Sequence, residues 1–200
     1  TYIFIYASVM VIIIAAVLST AATLLKDKQL QNVKNEKMQA ILASANIEST
    51  PEEAETIYNQ FIVEEWLINP KGEITDLYKA GAFEKGSKRA FYLNLKTELY
   101  KKTKKEDFQS PLFVCKVKGE TYFIIPLLGK GLWGPVWGNV ALKDDFTTIE
   151  GVVFDHKGET PGLGAEIVFP IFTDPFIGKT IFDKEGNFTS IKVVKGGAIK

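Results

Sequence analysis

From Tyr2 to Leu25 the chain reads YIFIYASVMVIIIAAVLSTAATLL, 24 consecutive positions without a charged side chain. A helix of that length covers roughly 36 Å, enough for a hydrocarbon core of about 30 Å with some tilt. Tyr2 and Tyr6 stand near one end, where interfacial aromatics belong, and Lys26 and Lys28 mark water at the other. A signal peptide and a buried core helix are the two competing readings. A signal peptide's apolar stretch is shorter, about 7–15 residues, and Ser19-Thr20-Ala21-Ala22 resembles a cleavage site only weakly. Length therefore favours a retained transmembrane helix over residues 1–25. Charge does not orient it. With Tyr2 and Tyr6 as its only ionisable side chains, it cannot form an acidic ion relay by itself.

A chain of 200 residues suits such an anchor plus one soluble domain. Lys+Arg and Asp+Glu both number 24, so no basic excess points to nucleic acid as a partner. Cys115 is the only cysteine and His156 the only histidine. That excludes an intrachain disulfide and a His-cluster metal site, and it argues against a Ser-His-Asp triad. Both residues lie in or at the end of apolar strand-like runs and read as structural. The chain begins at Thr1 and stops at Lys200 after Gly-Gly-Ala-Ile, so both ends are expected to be trimmed.

Residues 26–48 continue helically, with Leu30, Val33, Lys37, Met38, Ile41 and Leu42 recurring at spacings of three to four. One apolar stripe predicts an amphipathic connecting helix that packs on the domain, which takes up residues 49–200. Ser49-Thr50-Pro51-Glu52-Glu53 carries a helix start: Thr50 as N-cap, Pro51 at the first position, Glu53 completing a capping box. The helix that follows turns Ile57, Tyr58 and Phe61 inward. Past Asn69-Pro70-Lys71-Gly72 the texture becomes β-rich. Residues 112–118 and 121–128 flank Gly119-Glu120 as a hairpin, and 136–143 and 147–155 read as two more strands. Late strands are expected at 179–182 and 188–194. The run KKTKKED at 101–107 reads as a solvated loop or helix face. Helices first and mostly antiparallel strands later predict an α+β domain with flanking helices.

Two glycine-punctuated stretches interrupt the strands. One is GKGLWGPVWG at 129–138, with Trp133 and Trp137 among glycines; the other is ETPGLG at 159–164. Pro161 fixes its own φ, while Gly162 and Gly164 admit φ > 0, so the second stretch can turn sharply and place Leu163 at its apex. Taken singly, each reads as a connecting loop or as ordinary tryptophan packing. P-loop and dinucleotide glycine fingerprints, paired catalytic acids and a nucleophile elbow are all missing.

Together, GLWGPVWGNVAL, a strand ending in an acid, ETPGLG and then VVKGGA at 193–198 resemble one family, the C subunit of the bacterial Na+-translocating NADH:quinone oxidoreductase. Order and spacing agree from about Tyr2 to Ala198. ETPGLG alone is shared with the flavoprotein subunit of the Rnf complex; GLWGPVWG and VVKGGA favour the Na+-pumping enzyme. The resemblance implies a single FMN-binding domain on one helix, on the periplasmic side of the cell inner membrane. It implies FMN esterified to a threonine by a flavin transferase, in a Ser-Gly-Ala-Thr motif. That motif is absent here, and the acceptor threonine is expected beyond Lys200. Partners would be the other subunits of a membrane-bound oxidoreductase, with NADH oxidation on another of them.

Isoalloxazine is flat and apolar with polar edges. In the implied site, Leu163 packs on a ring face and Trp133 is a second candidate. N–H groups of Gly162, Leu163 and Gly164 meet the pyrimidine edge, where they would tune the reduction potential, and Thr160 adds a hydroxyl. Lys195 is assigned to the phosphate or ribityl chain. Glu159 and Glu166 would be unfavourable beside a phosphate and are assigned instead to anchoring the loop. A cofactor-free membrane-anchored assembly domain and an Rnf-type flavoprotein subunit are the alternatives.

Overall fold

The computed structural model describes residues 2–194 and 197–199. One helix, α1 (Tyr2–Ser44), runs unbroken from the apolar stretch into the domain. Residues 2–33 are exposed throughout, and the helix is long and apolar enough to cross a membrane. Only its last turns dock, through buried Met38, Ile41, Leu42 and Ser44. The expected stripe is therefore shorter than its periodicity suggested, because Leu30 and Val33 stay exposed. The helix also ends at Ser44 rather than near 48; Asn46, at φ +58°, turns the chain away.

The Thr50 start is present in modified form. The Glu53 N–H donates to Thr50 Oγ1 at 3.3 Å, and that hydroxyl donates to the Glu53 carboxylate at 3.0 Å. Residues 51–53 form a turn before α2 (Ala54–Phe61) begins, and α2 buries Tyr58, with Ile57 and Phe61 half-buried.

Seven strands follow: β1 (Ile62–Ile68), β2 (Ile74–Lys79), β3 (Ala82–Lys85), β4 (Ser110–Val117), β5 (Glu120–Lys130), β6 (Pro135–Leu142) and β7 (Ile149–His156). They form one antiparallel sheet in the order β3-β2-β1-β4-β5-β6-β7. A ten-residue helix, α3 (Leu95–Lys104), precedes β4, capped by Asn94, whose side chain accepts from the Thr97 N–H at 3.2 Å. The charge run at 101–107 is the last turn of α3 and the loop after it. The α+β class, with an antiparallel sheet and flanking helices, is as the sequence predicts.

Strands β4 to β7 fall within two residues of their expected places. β1 to β3 were not expected, because Glu64, Glu65 and Asp76 interrupt the apolar pattern. The late pair also differs. Residues 179–182 and 188–191 make only isolated bridges, Thr148 with Thr180 and Phe182 with Phe188. Of the expected 188–194, only the end is a strand: β8 (Lys192–Val194) pairs with β9 (Gly197–Ile199) in a small ribbon.

Both faces of the sheet are covered. On one, the end of α1 and α2 pack over Phe113, Cys115, Ile124 and Ala141. Gly151 admits the helix end, since a Cβ there would lie 2.4 Å from the Ser44 carbonyl oxygen. On the other face, a short helix α4 (Pro170–Thr173) and the chain that follows it bring Phe172, Phe176 and Ile181 over Leu142, Ile149 and Val152. Cys115 is fully buried, and burial pushes its thiol up to about 12.

Candidate functional site

The two glycine-punctuated stretches meet at one end of the sheet. Strands β5 and β6 pair as far as Lys130 with Pro135, and the Gly131 N–H closes the tip onto the Gly134 carbonyl at 2.7 Å. β7 pairs Val136 with His156, and the Lys157 N–H donates to the Pro135 carbonyl at 3.1 Å, extending the ladder one step. The 157–163 loop therefore leaves the sheet directly beside the hairpin tip.

Glu159 joins them. It is only 9% exposed, and its Oε1 accepts the Trp133 backbone N–H at 2.9 Å across 26 residues of sequence. Its own N–H donates to His156 Nδ1 at 3.1 Å, so the lone histidine is a local structural acceptor. A Cβ on Gly131 would sit 2.3 Å from Oε1, and one on Gly164 would sit 2.8 Å from Oε2. Real Cβ atoms do not approach that closely, so both glycines leave room for one carboxylate. Gly164 serves this close approach and not a positive φ; Gly162 does adopt φ +75°.

Around this buried acid the surface is apolar and open. Trp133 is 70% exposed and Leu163 74%, with Leu132 on the same tip at 82%. Exposed large apolar side chains on turns held this tightly are not explained by packing. Behind them, between β5–β7 and the chain after Ile167, lies an apolar cavity of about 670 Å³ lined by Gly129, Val136, Trp137 and Phe154 among others. A second cleft of about 930 Å³ runs between α1 and the opposite face, over Pro126, Trp137 and Asn139. Both volumes lie within the range of small-molecule sites. No group of three or more His, Cys, Asp or Glu side chains that could hold a metal occurs among the described residues.

The expected donors need correction. The Gly162 N–H donates to Glu166 Oε1 at 2.8 Å, and the Leu163 N–H to the Thr160 carbonyl at 3.1 Å. Both are spent inside the loop, because a turn this tight must satisfy its own backbone groups. The Ala165 N–H also bonds the Thr160 carbonyl, at 3.1 Å. Among the described residues, the Gly164 N–H and the Thr160 hydroxyl make no hydrogen bond, so these two are the available donors. Glu159 and Glu166 anchor the loop. Lys195 lies outside the described residues. What sequence reasoning missed is that Glu159 reaches the other loop; the only signal was a lone acid between Gly158 and Gly162 in the second stretch.

A flat ring with polar edges fits this surface on three counts: an aromatic and an aliphatic side chain held outward, unspent donors beside them, and a cavity behind. Residues 131–198 match the model of the FMN-binding domain. The fold and this segment thus define an FMN-binding-domain protein carried on a long apolar helix. The C subunit of the Na(+)-translocating NADH-quinone reductase from Vibrio campbellii is 33% identical over 205 residues, covering 94% of this chain and 75% of that one. The corresponding subunit from Neisseria meningitidis serogroup A is 43% identical over 87 residues, 42% of this chain and 33% of that one. The crystal structure of the same subunit from Parabacteroides distasonis superposes with a TM-score of 0.72 at 41% identity, covering 85% of this chain and 76% of that one. The chain belongs to the family formed by the C subunits of Na+-translocating NADH-quinone reductases.

Proposed function

We propose that this chain is the membrane-anchored flavoprotein subunit of a Na+-pumping NADH:quinone oxidoreductase and relays electrons through FMN. The observation that carries this is the paired-loop surface: Trp133 and Leu163 exposed around a buried Glu159, inside the segment that matches the FMN-binding domain. FMN, when bound, supplies the reversible electron transfer. The protein supplies apolar faces from Trp133 and Leu163, and rim donors from the Gly164 N–H and the Thr160 hydroxyl. Gly162 shapes the loop, and Lys195 is assigned to the phosphate or ribityl chain.

In this reading residues 1–25 cross the inner membrane, 26–48 form the stalk and its docking turns, and 49–200 form the flavin domain on the periplasmic side. FMN is joined covalently by a flavin transferase to a threonine downstream of Lys200. The electron donor and acceptor sit on other subunits, and NADH is oxidised there. Supporting the assignment of the anchor is the exposure of every residue from 2 to 25, an apolar surface water would not tolerate.

Two variants test it. Leu163→Ala removes an apolar face without touching the core. Gly162→Val forces a β-branched residue into φ +75° and should deform the loop. Each is expected to change flavin occupancy or midpoint potential in the assembled complex while the domain stays folded. Wild-type flavin content and potential in both would refute the site.

A further inference from the structure

We propose that Glu159 is the positioning residue of the flavin-facing surface: its buried carboxylate clamps the hairpin tip carrying Trp133 to the loop carrying Leu163, so that two separate turns present one face. This deepens, and rests on, the reading that the surface receives FMN.

Three observations converge. The carboxylate is nearly buried: Oε1 holds the Trp133 N–H at 2.9 Å, and a Cβ at 131 or 164 would press on Oε1 or Oε2, so the two glycines leave it its place. The tip has little else to hold it. Its four residues close on themselves through Gly131 and Gly134, and its large side chains, Leu132 and Trp133, point to solvent. The Leu163 loop is self-contained through Thr160 and Glu166, so beyond the Lys157–Pro135 bond that ends the sheet ladder, Glu159 supplies the tie between the outer parts of the two turns. A carboxylate accepting a backbone N–H away from water makes a strong, directional bond, which suits a clamp. A glutamine keeps one acceptor oxygen and nearly the same shape; an alanine keeps neither.

The test uses the full-length chain as wild type, Glu159→Ala, Glu159→Gln and Gly164→Ala, the last forcing the carboxylate aside from the opposite loop. In flavin-free protein, hydrogen–deuterium exchange at the Trp133 amide is expected to rise roughly tenfold or more in Glu159→Ala, as befits loss of a charge-assisted hydrogen bond. It should rise also in Gly164→Ala and stay near wild type in Glu159→Gln. In flavin-loaded protein, the two alanine variants should lose quenching of flavin emission by Trp133 and shift in midpoint potential. The glutamine variant should retain the quenching. Unchanged exchange in both alanine variants would overturn the clamp. Faster exchange with unaltered emission and potential would overturn the positioning role. A wild type that carries no flavin would sink the functional reading and that role together, and the exchange data, taken without flavin, would show that the clamp itself had not failed. Should Glu159→Ala not fold, Glu159→Gln and Gly164→Ala still decide the matter.

Discussion

Two regions of this molecule each place a glutamate out of water, to opposite ends. Glu65, in β1, is 3% exposed and lies in the core under α2. It accepts from the Tyr58 hydroxyl at 3.1 Å, the Phe91 N–H at 3.0 Å and the Arg89 guanidinium, which stacks 4.2 Å over the Tyr78 ring. Tyr58 packs edge-on against Phe91 and Phe113. Burial, reinforced by the charge of Glu65, pushes the Tyr58 hydroxyl well above its usual range, so it stays a donor. Glu159 has no ion-pair partner among the described residues and is surrounded by glycines and exposed apolar side chains. The same device, a buried carboxylate accepting a backbone N–H from a distant segment, consolidates a core in one place and holds up a presented surface in the other. The first should matter to stability and the second to function.

That contrast predicts a gradient of effects. Glu65→Ala strands the buried Tyr58 hydroxyl and Phe91 N–H and leaves the half-buried Arg89 guanidinium unpaired, and it should cost about 3–5 kcal/mol in denaturant unfolding. Ile41→Ala empties a fully buried position where α1 meets the domain, with an expected loss of about 2–4 kcal/mol and easier release of the helix end. Acid should act next, through Asp76. Burial alone would raise its carboxyl, but N–H donors from Ser87 and Lys88 and side-chain donors from Thr75 and Gln109 outweigh that and hold it low. A depressed pKa gives stability that is present above the unfolded value, about 3.9, and is lost as pH falls through the folded one. Asp76→Asn should flatten that part of the pH–stability curve. Leu163→Ala, at the other extreme, should change stability by no more than about 0.5 kcal/mol while altering the flavin, because its side chain already faces water. If Leu163→Ala destabilised as much as Ile41→Ala, the division between core and presented surface would be wrong.

The legible parts of this chain were those where one force acted alone. The apolar stretch and strands β4 to β7 show in the sequence because uninterrupted Val, Ile, Leu and Phe runs admit few other fates. β1 to β3 did not, because Glu65 and Asp76 sit inward and are satisfied chiefly by residues 11 to 33 positions away, which a local pattern cannot register. α3 hid behind its lysines: Glu98 is its buried residue, accepting from the Gln109 N–H at 2.8 Å. At the site, glycine spacing pointed to Trp133 and Leu163 as outward residues, and both are exposed. Which amides remain free could not be read, since Glu166 and the Thr160 carbonyl claim two of three only once the loop is folded.

The most direct check of the flavoprotein reading is ultraviolet in-gel fluorescence after complete denaturation of the full-length gene product, co-produced with a flavin transferase and run beside the 200-residue form. The account predicts a yellow-green band from the full-length protein and none from residues 1–200. No fluorescence from either, with the transferase shown active on a control protein, would contradict it and leave a cofactor-free membrane-anchored domain.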